Sequence, residues 1–153
     1  MNKLNKKNSN KTIYFRADAS SKIGIGHLIR LLAIANMIQK SFNCHFITRK
    51  PEESILNLLQ NSGFDCTLLD PNIEYYIESV IINSTIDVNE IIVFDGYNFD
   101  ESYFKTFKDA GHTTLFIDDF GRQFHNIDII INHALGCQEE DYNNNGYHFK
   151  LYL

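Results

Sequence analysis

"TIYFRADASSKIGIGHLIRLLAIANMIQKS", residues 12–41, decides the fold. Its first part, TIYFRADA (Thr12–Ala19), is an extended run. Its last part, HLIRLLAIANMIQKS (His27–Ser41), repeats Leu and Ile at helical spacing. SSKIGIGH joins them, with glycines at 24 and 26. A strand, a glycine turn and an amphipathic helix in that order begin a βα unit.

The pattern continues outward. CHFITR (Cys44–Arg49) reads as a strand and EESILNLLQNSG as a helix that stops at Gly63. FDCTLLD (Phe64–Asp70) is a strand and IEYYIESVIINS a helix. EIIVFDGY (Glu90–Tyr97) is an apolar strand, followed by the helix DESYFKTFKDAG. TTLFIDDF (Thr113–Phe120) and IDIIINHA (Ile127–Ala134) are strands with a short connection. Strands alternating with helices imply βαβ units and a parallel sheet. Runs such as IIVF and DIIIN lack polar alternation, as strands buried on both faces do. The expected fold is α/β, a Rossmann-like three-layer sandwich with a mostly parallel sheet and the first strand inside it.

The chain has 153 residues, enough for one domain with a sizeable core. Hydrophobic residues make up 44% and charged residues 22%, the balance of a globular protein. A net charge of −5 offers no global field for nucleic acid, so no nucleic-acid partner is expected. Neither a secretory leader nor an apolar run long enough to span a bilayer is visible, so no membrane partner is expected. Three widely spaced cysteines, none in a C-x-x-C pair, suggest a reducing, cytoplasmic compartment. The expected organisation is a disordered basic tail over 1–11, a Rossmann-like domain over 12–136, and a terminal segment over 137–153. That segment ends on FKLYL, an incipient strand without an evident partner, and is expected to lead into a second domain absent here.

Ligands of open parallel sheets bind beyond the carboxyl ends of the strands, which is where SSKIGIGH lies. Gly24 and Gly26 permit a tight turn and close approach of a ligand. The helix that follows presents free N–H groups and a partial positive charge. The dinucleotide fingerprint does not fit, because Ile29 stands where its third glycine belongs. A P-loop is excluded by the lack of G-K-[ST], and Ser20 and Ser21 lie on no G-x-S-x-G elbow. No metal is expected, because the acids and histidines lack ligand spacing. His27 has two readings. It is a residue that merely starts a helix, or a base kept neutral by the helix N-terminus and so able to take a proton. Asp95 and Tyr97 end the fourth strand, Asp118 and Asp119 the fifth, Asn132 and His133 the sixth. All fall on the same sheet edge as His27. Taken singly, each is better explained as a cap of the next helix; together they read as a site.

FRADASSKIGIGHLIRLLAIA, IIVFDGYNFDESY, LFIDDFGRQFHNIDIIINHALG and FKLYL together resemble a known family. It is the N-terminal half of the UDP-2,4-diacetamido-2,4,6-trideoxy-β-L-altropyranose hydrolases of pseudaminic acid biosynthesis. The resemblance covers Thr12 to Leu153. It implies the N-terminal half of a GT-B fold, a UDP-sugar substrate, water as co-substrate and no cofactor. His27 would be the catalytic base of an inverting cleavage of the sugar C1–O bond that releases UDP. Tyr97 would lie near the sugar, with Gly24, Gly26, Asp95, Asp119 and Asn132 as further substrate-binding candidates. Most nucleotide contacts in that family belong to a second domain. The resemblance therefore also implies a missing C-terminal nucleotide-binding domain or a partner chain, and little activity without it. A GT-B-type glycosyltransferase-like domain, or a non-catalytic relic that retains the loop, remain alternatives.

Overall fold

The computed structural model describes residues 11–142, 146 and 148–153. Apart from Lys11, the basic segment expected as a tail over 1–11 lies outside the described residues. Among the described residues seven strands and four α-helices follow one another: β1 (Thr12–Ala17), α1 (Gly26–Ile38), β2 (Asn43–Arg49), α2 (Glu53–Asn61), β3 (Asp65–Leu69), α3 (Tyr75–Thr85), β4 (Ile91–Asp95), α4 (Glu101–Asp109), β5 (Thr113–Asp118), β6 (Ile129–Asn132) and β7 (Lys150–Tyr152). A 3₁₀ turn, Glu139–Tyr142, lies between the last two strands.

The strands form one sheet in the order β3-β2-β1-β4-β5-β6-β7, parallel throughout. Connections between parallel strands are right-handed, so the direction of travel decides which face a helix covers. The chain steps outward from β1 to β3 and puts α1 and α2 on one face. It then returns to β4 beside β1 and steps the other way, which puts α3 and α4 on the opposite face. Two apolar cores record this. Phe15, Ala17 and Val93 meet Leu28, Leu31 and Ala35 of α1 and Leu59 of α2. Ile92, Phe94 and Phe116 meet Ile82 of α3 and Phe104 and Phe107 of α4. The architecture is a Rossmann-like α/β sandwich of three layers.

Alternation along β1 sorts its side chains between these layers. Phe15 and Ala17 point to the α1 side, and Tyr14 packs on the α4 side. Arg16 also leaves on the α3–α4 side, where it is fully buried against Asp18, Glu78 and Tyr103. At α4, Asp100 accepts a hydrogen bond from the Tyr103 N–H and caps the helix.

The expectation for FKLYL is corrected in one respect. Lys150–Tyr152 does have a partner: it is the seventh strand and pairs with Ile129–Ile131 of β6. Phe149 and Leu151 pack onto the second core, while Tyr152 and Leu153 stay more than half exposed. A parallel partner more than a dozen residues back in the chain leaves no local sequence signal, unlike a hairpin.

Candidate functional site

β1 and β4 are neighbours whose continuations leave on opposite faces of the sheet, and this divergence makes a crevice at their carboxyl ends. SSKIGIGH crosses it. Gly24 pairs with Ser20 in an isolated bridge and takes a positive φ of 87°, a conformation that side-chain-bearing residues rarely adopt. The turn delivers the chain into α1, which begins at Gly26 without a side-chain cap. His27 is thus the second residue of the helix, and its ring is buried.

The ring rests on a carboxylate. His27 Nδ1 lies 2.7 Å from Oδ1 of Asp95, the last residue of β4 and fully buried. Arg30 Nη2 is 3.3 Å from the same nitrogen, but two donors cannot share one bond. The shorter contact to a carboxylate assigns the proton to Nδ1. Nε2 then carries the lone pair, and it has no hydrogen-bond partner among the described residues. The ring faces a cavity of about 580 Å³ lined by Gly26, His27, Arg30, Tyr97, Asp119 and His133, with Ile23 and Ile29 on its apolar side. The dyad can accept a proton at Nε2 while Asp95 fixes the tautomer and balances the imidazolium that forms.

Arg30 is one helical turn beyond His27 and sits between two carboxylates. It donates to Asp95 through Nε at 2.7 Å and Nη2 at 2.6 Å, and to Asp119 through Nη1 at 2.7 Å. Those hydrogen bonds hold the Asp119 carboxyl below its ordinary range. With both carboxylates engaged, the guanidinium is not left over to bind a substrate anion. One cation faces two carboxylates, so a proton taken up by His27 brings the group to neutrality. Tyr97 stands edge-on to His27, with ring centroids 4.6 Å apart, and its hydroxyl donates to Asp119 at 3.2 Å. Arg122 holds the backbone beneath Tyr97, donating to the carbonyls of Gly96 and Tyr97. A Cβ on Gly96 would come within 3.2 Å of the Phe99 ring, so glycine lets this turn lie flat.

The sequence candidates divide accordingly. Gly26, His27, Tyr97 and Asp119 line one cavity. Gly24 shapes the loop and does not line it. Asp95, expected among the substrate-binding residues, lies under His27 and Arg30 with no exposed surface. Asn132 lies apart from His27. It is buried, donates to the Tyr142 hydroxyl at 2.8 Å and receives the Ala134 N–H. It borders a second hollow with Asp119, Phe120 and Leu135, not the one at His27. Asp118 is buried there too, accepting from Tyr142 and Arg122. Arg30 was missed, although the H-x-x-R spacing that puts both side chains on one helix face was in view.

The chain matches no protein-family model, no curated protein and no solved structure. Among the described residues no helix is long and apolar enough to cross a membrane, and no group of three His, Cys, Asp or Glu side chains is placed to hold a metal.

Proposed function

We propose that this chain is the base-bearing domain of a nucleotide-sugar hydrolase. The observation that supports this most is the His27–Asp95 dyad, with Nδ1 bound to a buried carboxylate and Nε2 left to the cavity. The motif resemblance supplies the substrate class, a UDP-linked diacetamido-trideoxy sugar of pseudaminic acid biosynthesis, and with it the likeness to the first half of a GT-B protein.

In this reading a water molecule lies between Nε2 and C1 of the sugar, on the face opposite UDP. Its oxygen forms the new bond to C1 as the C1–O bond to UDP breaks. One proton passes to Nε2, UDP leaves as the anion, and the configuration at C1 inverts. Asp95 stays ionised and accepts from Nδ1–H throughout. The start of α1 orients the water or the sugar, and Tyr97 lies along the sugar. Contacts to the uridine and diphosphate come from a second domain or partner chain. The free cysteines suit a cytoplasmic site for this chemistry.

The test joins this chain to the second domain of a family hydrolase and follows UDP release from the UDP-sugar. His27→Ala lowers kcat by about 10²–10⁴-fold, the usual share of a general base, with UDP affinity unchanged. His27→Asn does little better, since an amide positions water but cannot take its proton. A folded variant that turns over near the parental rate refutes the base. Sugar found on an added hydroxyl acceptor instead of free in solution would move the reaction to glycosyl transfer.

A further inference from the structure

Helix α3 is built inside out. Its sequence, YYIESVIINST, buries Glu78 and Ser79 together with Ile82. Its large apolar residues face solvent: Tyr76 is 65% exposed, Ile77 48%, Val80 46% and Ile81 41%. At 3.6 residues per turn these four and Ser84 share one arc of about 140°. The Ser84 hydroxyl is already spent on the Ile81 carbonyl. In the turn that follows, Val88 is exposed as well. The neighbouring helix shows the ordinary arrangement. α4 buries Tyr103, Phe104 and Phe107 and turns Lys105 and Asp109, paired at 2.7 Å, to water.

The buried side of α3 explains only half of this. Glu78 is held by Arg16, Arg49 and Tyr103, so that face has a reason to be polar. Nothing on the described surface accounts for the apolar side. It forms a patch on the order of 400 Å², at the size where exposed patches mark contacts.

We infer that the exposed face of α3 is a self-association surface that pairs with the same face of a second copy of this chain about a two-fold axis. Charge favours this occupant. In a two-fold pair, residues near the axis meet their own counterparts, so any fixed charge there would face its like. The only side chain within α3 that is charged at neutral pH is Glu78, and it points the other way. A face for a charged partner would carry the opposite charge, and this one carries none. Depletion of charge with aromatic and aliphatic enrichment is the composition of a homodimer centre. Ser84 in the middle of the arc is small enough to let two helices approach closely. Two such faces bury on the order of 800 Å², below what a stable dimer needs, so the dimer is a weak and reversible one, with a dissociation constant on the order of tens of micromolar. This inference does not depend on the proposed hydrolase.

Sedimentation of the 153-residue chain across about 1–300 μM tests it. The wild-type chain shifts from monomer to dimer over that range. Val80→Asp and Ile81→Lys each move the midpoint at least about tenfold upward, with unchanged far-UV circular dichroism. Met37→Lys, at an exposed apolar residue of α1 on the other face of the sheet, leaves it where it was. Val80→Cys, compared with the parent chain and its three native thiols, gains a cross-linked dimer on oxidation, and Met37→Cys does not. A wild-type chain that stays monomeric to the highest concentration overturns the inference. So does a dimer that survives both α3 substitutions, or one that cross-links through residue 37.

Discussion

The carboxyl edge of the sheet carries two ionic clusters with nearly the same inventory. On the α3–α4 side Arg16 lies between Asp18 and Glu78, at 2.6 and 2.8 Å. On the α1 side Arg30 lies between Asp95 and Asp119, at 2.6 and 2.7 Å. The arginines come from one short stretch of chain, Arg16 through Arg30. They differ in what closes the third side. The Arg16 cluster is roofed by Tyr103, which donates to Glu78 at 2.6 Å, and by Arg49, which donates to Glu78 at 2.7 Å and stacks on Tyr75. No side is left for a ligand. The Arg30 cluster has His27 and Tyr97 on that side, and both face a cavity. An arginine between two carboxylates is therefore not a functional sign by itself. Access decides whether it holds the fold together or holds a reactive group in place.

The largest expected effect breaks the closed cluster. Glu78→Ala leaves Arg16 fully buried with one of its two carboxylates gone. Removing one member of a buried ionic group costs about 3–5 kcal/mol, because the remaining charge stays desolvated. Urea titration of the variant measures it. A loss below about 1 kcal/mol would mean that water reaches Arg16 and that the contrast between the clusters is false.

Next in size is Asp95→Asn in the open cluster, read in the complete enzyme of the proposed function. The amide can offer its N–H to Nδ1 and turn the lone pair inward, away from the cavity. The rate falls by about 10²-fold or more in kcat, with KM little changed. Stability falls less than for Glu78→Ala, since Arg30 keeps Asp119 and is partly in water. Equal losses of stability at the two sites, with the rate spared, would make the open cluster structural as well.

How much of this was legible in the sequence follows from how far each signal reaches. The strand–helix alternation and the parallel sheet were readable because burial on both faces is a local pattern, as in IIVF and IIIN. His27, Tyr97 and Asp119 were readable as one edge because strand ends in such a sheet share an edge by topology. The His27–Asp95 dyad was not, since it joins residues 68 apart in sequence and depends on β1 and β4 being neighbours in the right register. The same holds for Arg16 with Glu78, and for β7 with β6. The depth of Asp95 and Asn132 was illegible for another reason. A polar residue at a strand end can point into a cleft or back beneath the neighbouring element, and one residue of register chooses between them.

A smaller effect comes from acid. Asp18 and Asp119 both lie below the ordinary 3.8 in the folded protein. For Asp18 burial works the other way, but the charge and hydrogen bonds of Arg16 outweigh it. For Asp119 the hydrogen bonds from Arg30 lead. A folded-state value below the unfolded one means that these groups stabilise fully above 3.8. That stabilisation is lost as pH falls through the lower folded values. Melting is expected to be flat near neutrality on their account and to weaken on acidification. In Asp119→Asn the acid slope becomes shallower, and a slope unchanged by that variant would show Asp119 to be unpaired in solution.

The smallest effect sharpens the contrast at its open end. Tyr97 is half exposed, and its hydroxyl reaches Asp119 at 3.2 Å while Arg30 already holds that carboxylate with two shorter contacts. Water can replace the phenol there, so Tyr97→Phe costs less than about 0.5 kcal/mol. The ring, which meets His27 edge-on, is kept. Tyr103→Phe makes the matching change in the closed cluster, where the hydroxyl donates to Glu78 at 2.6 Å and no water can stand in for it. A buried acceptor that loses a donor costs about 1–3 kcal/mol. The two substitutions delete the same atom from the same kind of ring, each bonded to a carboxylate that an arginine also holds. If access is what separates the clusters, thermal unfolding distinguishes the variants by that margin. Equal shifts would show that the hollow at His27 is as closed to water as the interior around Glu78, and a site closed to water could not supply the nucleophile of a hydrolysis.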